Sequence, residues 1–243
     1  FTNAERRISR VRKVMAPKNG YEDWEITQML SNALGYPMNY KHASEIMDEV
    51  AQLTPTFKGV SYEKLDKLES IQWPCNDEFP EGTPTMHVDE FVRGKGKFFI
   101  TEYVPTVEKV NGKFPLIMTT GRILAHYNVG AQTRRTKNSE WHDEDLIEIH
   151  PHDAEERGIN ERDWVGINSR SGDTVLRAKI TDKVQPGVVY TTFHHPVSGA
   201  NVITTDNSDW ATNCPEFKVT AVQVTKVTQP SNWQSKYQKF SEK

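Results

Sequence analysis

The sequence predicts a mixed fold: a helical N-terminal segment followed by a closed or nearly closed β-barrel. Three observations carry this expectation. Helical periodicity dominates before about residue 110, where the chain changes character. Runs rich in Val, Ile, Thr and aromatics, set off by turn residues, fill the chain after residue 112. A short helical pattern sits among those runs, and that many strands around a short helix point to a barrel.

Taken in order, YEDWEITQMLSNALG places Ile26, Met29, Leu30, Ala33 and Leu34 on one helix face, and Gly35 with Pro37 ends it. SEIMDEVAQL repeats the spacing, with Ser44 as N-cap and Ile46, Met47, Val50 and Leu53 facing inward. SYEKLDKL predicts a third short helix behind Ser61. Residues 73–96 hold Pro74, Pro80, Pro84 and several glycines, and predict an irregular surface crossing. FPLIMTT and LIEIH read as buried strands. PHDAEERGI then offers Pro151 at a first helical position, Asp153 and Glu155 at the positive end, and Gly158 as a left-handed stop. DWVGINS and TVLRAKIT form a hairpin around Gly172, and PGVVYTTFHH and KVTAVQVTKV add further strands. QPSNWQSKYQKFSEK predicts a polar tail that frays or lies on a partner surface. No internal repeat is visible. The expected divisions are residues 1–95, 112–228 and 229–243.

The 243 residues carry a formal net charge of −3, which speaks against nucleic acid as the main partner. No run of 18 apolar residues occurs, so no membrane span is expected. FTNAERRISR lacks the apolar stretch of a secretory signal. The two cysteines, Cys75 and Cys214, suggest a reducing, cytoplasmic setting, with Cys214 a small buried residue rather than a nucleophile. The chain opens without Met and in mid-pattern. A piece of a longer chain is the expectation, and a trimmed small protein the alternative.

The chemistry concentrates in two loops. TTGRILAHYNVGAQTRRT, residues 119–136, follows an apolar strand directly. Gly121 permits close approach to backbone N–H groups, Thr119, Thr120 and Thr133 add hydroxyls, and Arg122, Arg134 and Arg135 add planar forks that suit phosphate. This set suits a phosphorylated or highly polar ligand; it equally suits a solvated loop whose arginines pair with Asp143, Glu144 and Asp145. The second loop, residues 193–218, is too long and polar for a simple hairpin connection. His194 and His195 invite a metal, but neighbours on a strand face opposite ways, and no third ligand stands at a familiar spacing. No metal ligand and no catalytic residue is therefore assigned. Nucleophile-elbow, dinucleotide-fingerprint and P-loop patterns do not occur.

The loop TTGRILAHYNVGAQTRRT, the run LIEIHPHDAEERGINERDWVGINSRSG and the stretch VQPGVVYTTFHHPVSGANVITTDNSDWATNCPEFK together resemble the C-terminal part of the molybdopterin oxidoreductases. Within them the chain looks most similar to the catalytic alpha subunit of soluble, NAD-dependent formate dehydrogenases, and the opening FTNAERRI fits the end of that family's preceding α/β cofactor domain. The resemblance implies a double-psi β-barrel that helps to hold a bis-molybdopterin guanine dinucleotide cofactor with molybdenum or tungsten. Carried onto this sequence, the cofactor-binding residues are Thr119, Thr120, Gly121, Arg122, His126, Tyr127, Asn128, Thr133, Phe193, His194, Asn201, Phe217 and Lys218. Phe217 stands where relatives often have Tyr, which removes a hydroxyl contact. The family's metal-ligating Cys or selenocysteine, its catalytic His and Arg, and its iron–sulfur motifs have no counterpart here, so this chain alone is expected to be inactive. The resemblance further implies, as partners, the rest of the alpha subunit and iron–sulfur and flavin (FMN) subunits that react with NADH; the substrate would be formate. A stand-alone pterin-binding or assembly module, and a part of another molybdopterin oxidoreductase such as a nitrate reductase, are the alternatives.

Overall fold

A computed structural model describes residues 1–241, which fall into two compact units, the first Phe1–Ile100 and the second beginning at Thr101. The first unit is built on two short antiparallel strands, β1 (Arg7–Ser9) and β2 (Ser70–Gln72), which place Ile8 opposite Ile71. Both isoleucines are buried with Val60, Leu65 and Cys75, and Met47, Phe57 and Trp73 pack against them. Between the strands lie α1 (Asp23–Ala33), α2 (Ala43–Leu53) and α3 (Tyr62–Leu68). The Ser61 hydroxyl caps α3, accepting from the Lys64 N–H at 3.2 Å.

Two expectations for this unit are corrected. The N-cap of α2 is His42, not Ser44: extended at φ −152°, His42 lets Nδ1 accept from the Ser44 N–H at 3.1 Å, which puts Ser44 inside the helix. The apolar faces are also less covered than their periodicity implies. Ile26, Met29 and Leu30 of α1 and Leu34 at its C-cap are exposed, as are Val50 and Leu53 of α2. Helical spacing gathers apolar side chains on one face but does not supply a surface to cover it. Polar clamps fasten α1 instead, with Gln28 gripping the backbone of Tyr40 and Asn32 that of Met38. The crossing expected at residues 73–96 holds neither helix nor regular strand. Its start is tied down by Arg6, whose guanidinium donates to the carbonyls of Trp73, Thr83 and Pro84.

The second unit is a closed barrel. Its elements are β3 (Leu116–Gly121), β4 (Leu146–Ile149), α4 (Pro151–Glu156), β5 (Trp164–Asn168), β6 (Asp173–Ile180), β7 (Val188–Thr192), α5 (Ala200–Ile203), β8 (Thr220–Val227) and α6 (Asn232–Ser241). The strands close in the order β3-β7-β4-β6-β5-β8. Inward side chains alternate along them, so Leu116, Met118, Ile147, Ile149, Val165, Ile167, Val189, Val222 and Val224 form one core. Gly158, at φ +61°, follows α4 as its left-handed stop.

The register positions the loops. β3 and β7 run parallel and end together at Gly121 and Thr192. β4 and β8 run antiparallel to them and begin at the same end. The β3–β4, β5–β6 and β7–β8 connections therefore share one mouth of the barrel, and both chemistry-bearing loops lie there.

The stretch expected as a polar tail behaves differently. Gln234 of α6 is 4% exposed, donates to the carbonyls of Val175 and Val197, and accepts from the Val175 N–H. One amide thus completes open backbone positions on β6 and holds the helix, because a primary amide can donate twice and accept at once. Residues 242 and 243 of the expected tail lie outside the described residues. Among the described residues, no helix is long and apolar enough to cross a membrane.

Candidate functional site

The β3 strand delivers the first loop to the mouth. Its alternation splits the two threonines: Thr120 points inward and Thr119 outward. The Thr120 hydroxyl donates to the Phe217 carbonyl at 3.1 Å, and the Lys218 ammonium donates to the Thr120 carbonyl. These bonds bring Phe217 and Lys218 of the second loop beside Gly121. Thr119 is not brought to this place. It lines a separate groove of about 360 Å³ with Glu148, Lys183, Val184, Gln185, Val188 and Tyr190.

Beyond Gly121 the chain bends around an open groove of about 650 Å³ lined by Arg122, Ile123, Leu124, His126, Tyr127 and Thr133. That size suits part of a large organic ligand. Arg122 is held in two ways. Its Nε donates to Asn128 Oδ1 at 3.0 Å, and its guanidinium lies 5.2 Å over the Phe193 ring. Among the described residues, neither Arg122, Arg134 nor Arg135 forms an ion pair. The alternative of a self-neutralised loop is thus not what the fold builds: Glu144 pairs with Arg162, and Asp145 is buried against histidines. Leu124 and Tyr127 expose apolar surface at the same groove.

His126 and His194 organise the loop and have no ring nitrogen to spare. His194 Nδ1 bonds the Asn128 carbonyl while its Nε2 accepts from the Ile123 N–H at 3.1 Å. That pair fixes the Nδ1–H tautomer. His126 Nε2 donates to the His142 carbonyl at 2.7 Å, leaving Nδ1 to accept from the Thr133 hydroxyl at 3.0 Å. Gly130 completes the packing: at φ +69°, a Cβ there would stand 2.8 Å from the His194 carbonyl oxygen. Asn201 lies exposed on α5, which packs against β6, and so flanks the same mouth.

Beneath the loops lies Asp145, which spacing alone did not single out. Its carboxylate accepts from the His195 N–H at 2.8 Å, from the His194 N–H at 3.1 Å and from the Thr192 hydroxyl. Burial alone would raise its pKa, but the donors of His195 and Thr192 outweigh it and hold the carboxyl far below the usual range. His142 is pushed down, chiefly by burial and against the pull of Asp145. The expectation that His194 and His195 alternate across a strand does not hold, because β7 ends at Thr192. The signal available in the sequence was the pair His142 and Asp145, three residues apart just before an apolar strand. Elsewhere, Cys214 is exposed rather than buried, on the polar loop organised by Asp209; Cys75 is buried.

Comparison with known proteins fits this geometry. Residues 116–221 match the family described as Molydopterin dinucleotide binding domain. The match takes in β3 to β7 and both mouth loops, and ends at the start of β8. The F420-dependent formate dehydrogenase subunit alpha of Methanocaldococcus jannaschii is 40% identical over 233 residues, which are 93% of this chain and 34% of that protein. A putative formate dehydrogenase of Staphylococcus aureus is 35% identical over 240 residues, covering 94% of this chain and 24% of the relative. This chain thus spans about a third or less of the curated relatives it matches. Acetylene hydratase from Pelobacter acetylenicus superposes with a TM-score of 0.56 at 14% identity, over 86% of this chain and 33% of that one. The fold is a double-psi β-barrel.

The donor set fits a molybdopterin dinucleotide. Such a group needs forks for its pyrophosphate, hydroxyl and amide partners for its sugars, and apolar faces for its rings. The groove presents the Arg122 fork, steered by Asn128 and without an ion-pair partner among the described residues, together with Thr133 and the exposed Leu124 and Tyr127.

Proposed function

We propose that the mouth of this barrel holds one pterin dinucleotide of a bis-molybdopterin guanine dinucleotide cofactor. The chain would supply the C-terminal, cofactor-binding part of a molybdenum or tungsten formate dehydrogenase catalytic subunit. The observation that carries the reading is Arg122: stacked on Phe193, steered by Asn128 and left without an acidic partner over an apolar-edged groove. An arginine preorganised in this way is a receptor for a phosphate.

When bound, the cofactor supplies the redox-active metal that accepts electrons from formate. This chain's residues do the holding. Arg122 faces the pyrophosphate, and the backbone at Gly121 allows close approach. Tyr127, Asn128 and Thr133 line the course of the ligand. Lys218, fastened to the Thr120 carbonyl, places a cation beside the same turn, with Phe217 packing next to it. Asn201 extends the contacts along the mouth, while His126, Phe193 and His194 fix the loop's shape. Thr119, on the outer face of β3, lies in the separate groove beside Tyr190 and takes no part in this reading. Residues 1–95 close the preceding α/β cofactor domain, and the bare apolar face of α1 supports that reading.

In this proposal the electrons leave through iron–sulfur clusters and an FMN-bearing partner to NAD in the cytoplasm. The Methanocaldococcus jannaschii relative is named as F420-dependent, so F420 stands beside NAD as an acceptor to be assayed. The test is formate-dependent reduction of NAD and of F420 by the complete enzyme, alongside an artificial dye. Formate oxidation with NAD supports the whole reading, and oxidation with F420 alone replaces the acceptor. No oxidation with any of the three overturns the assignment.

A further inference from the structure

Four imidazoles, of His126, His142, His194 and His195, crowd beneath the mouth loops with ring centroids 5.3–6.5 Å apart where they meet. Two of them, His126 and His194, spend both ring nitrogens on hydrogen bonds within the chain. The other two do not. His142 Nε2 and His195 Nδ1 are buried atoms without a hydrogen-bond partner. Both point at one carboxylate oxygen, Asp145 Oδ1, at 3.9 and 3.4 Å. An unpartnered buried nitrogen is costly, and His195 is 9% exposed.

The 3.4 Å separation at His195 suits a bridging cation better than a direct bond, and His142, at 3.9 Å, would close by about half an ångström to join it. Nitrogen and oxygen ligands on tetrahedral zinc, at bonds of about 2.0–2.1 Å, stand roughly 3.3 Å apart. A hydrogen bond between the same atoms would close to about 2.8 Å. All three donor atoms lie within 4.8 Å of one another. Donors on the carboxylate from Thr192 and the backbone of His194 and His195 orient it, as outer partners do around metal sites.

We propose that His142, Asp145 and His195 form a site for a divalent cation of zinc type, with a fourth position left to water. The site would join the β3–β4 loop, through His142 and Asp145, to the β7–β8 loop, through His195. Its role is structural: the cation would fasten together the two segments that shape the groove.

The test uses the 243-residue chain, stripped with chelator and titrated with Co²⁺ and then Zn²⁺. The expected result is one equivalent of Co²⁺ giving the intense visible bands of a low-coordinate site, displaced by Zn²⁺, with the thermal midpoint raised by either ion. Asp145→Asn would disturb the fold as well, so the deciding variant is His142→Ala, whose side chain is already 21% exposed. It should weaken Co²⁺ binding at least tenfold with an unchanged circular dichroism spectrum. His152→Ala, at the exposed His152, Asp153 and Glu156 group on α4, serves as control and should leave binding intact. Absence of visible bands, binding unaltered by His142→Ala, or binding lost with His152→Ala would each overturn the site.

Discussion

Asp145→Asn is the substitution that most sharply probes how the two mouth loops are held. The carboxylate takes the His194 N–H on Oδ1 and the His195 N–H on Oδ2, with the Thr192 hydroxyl also on Oδ1. An amide of the same shape offers a single acceptor oxygen, and its NH2 group must face one of the two backbone donors. The retained bonds lose the charge, worth about 1 kcal/mol each, and one buried N–H is left facing a donor at about 1–3 kcal/mol. The sum is a loss of about 3–5 kcal/mol. For a unit of this size, each kcal/mol lowers the midpoint by roughly 4 °C, so a fall of about 12–20 °C is expected. The assay is thermal unfolding followed by circular dichroism in chelator, which keeps cations out of the comparison. The exposed neighbour Asp143→Asn is the reference and should move by no more than about 0.5 kcal/mol. A shift for Asp145→Asn no larger than that reference would refute the anchoring role.

Three further outcomes follow from the same geometry. Gly130→Ala forces a Cβ against the His194 carbonyl at φ +69° and should cost about 1–3 kcal/mol, read in the same melt; an unchanged midpoint would count against the tight loop junction. Asp209 accepts from the Thr212 hydroxyl and from the N–H groups of Thr212 and Cys214, which lower its pKa to about 2. Its folded pKa lies below the unfolded value, so its contribution is complete above the ordinary carboxylate range and is lost as pH falls from about 4 towards about 2; a carboxyl titration by NMR near the ordinary value would contradict this. With Cys214 exposed and Cys75 buried, a thiol reagent should modify one cysteine in the native chain and both after unfolding; two rapid native reactions would show that Cys75 is not enclosed.

The barrel was legible because its strands carry their own pattern. LIMTTG and LIEI alternate or run apolar between turn residues, and each strand stands where its run stands. Pro151 and Gly158 bracket α4 by local chemistry that needs no tertiary context. The first loop stood out through Gly121 and its arginines, and the fold places it at the mouth of the barrel. Closure order was not legible from periodicity, since β3 pairs with β7 and β8 across long separations. For the same reason Asp145 escaped notice: spacing suggested it as a partner for arginines, whereas β4–β7 pairing brings it to His195. The tail misled because a polar amphipathic stretch was weighed by composition, while one residue, Gln234, decides its place. Helix α1 misled in the opposite sense, its apolar face being real but bare within the described unit.

The central claim is that the groove beyond Gly121, rather than the one beside Thr119, carries the pterin dinucleotide. It is tested most directly by pterin content, measured as fluorescence after oxidative release from the complete subunit. Arg122→Ala combined with Lys218→Ala should lower the pterin recovered per chain at least tenfold, while Lys183→Ala in the other groove should leave it unchanged. Full pterin content in the double variant, or its loss in Lys183→Ala, would contradict the account.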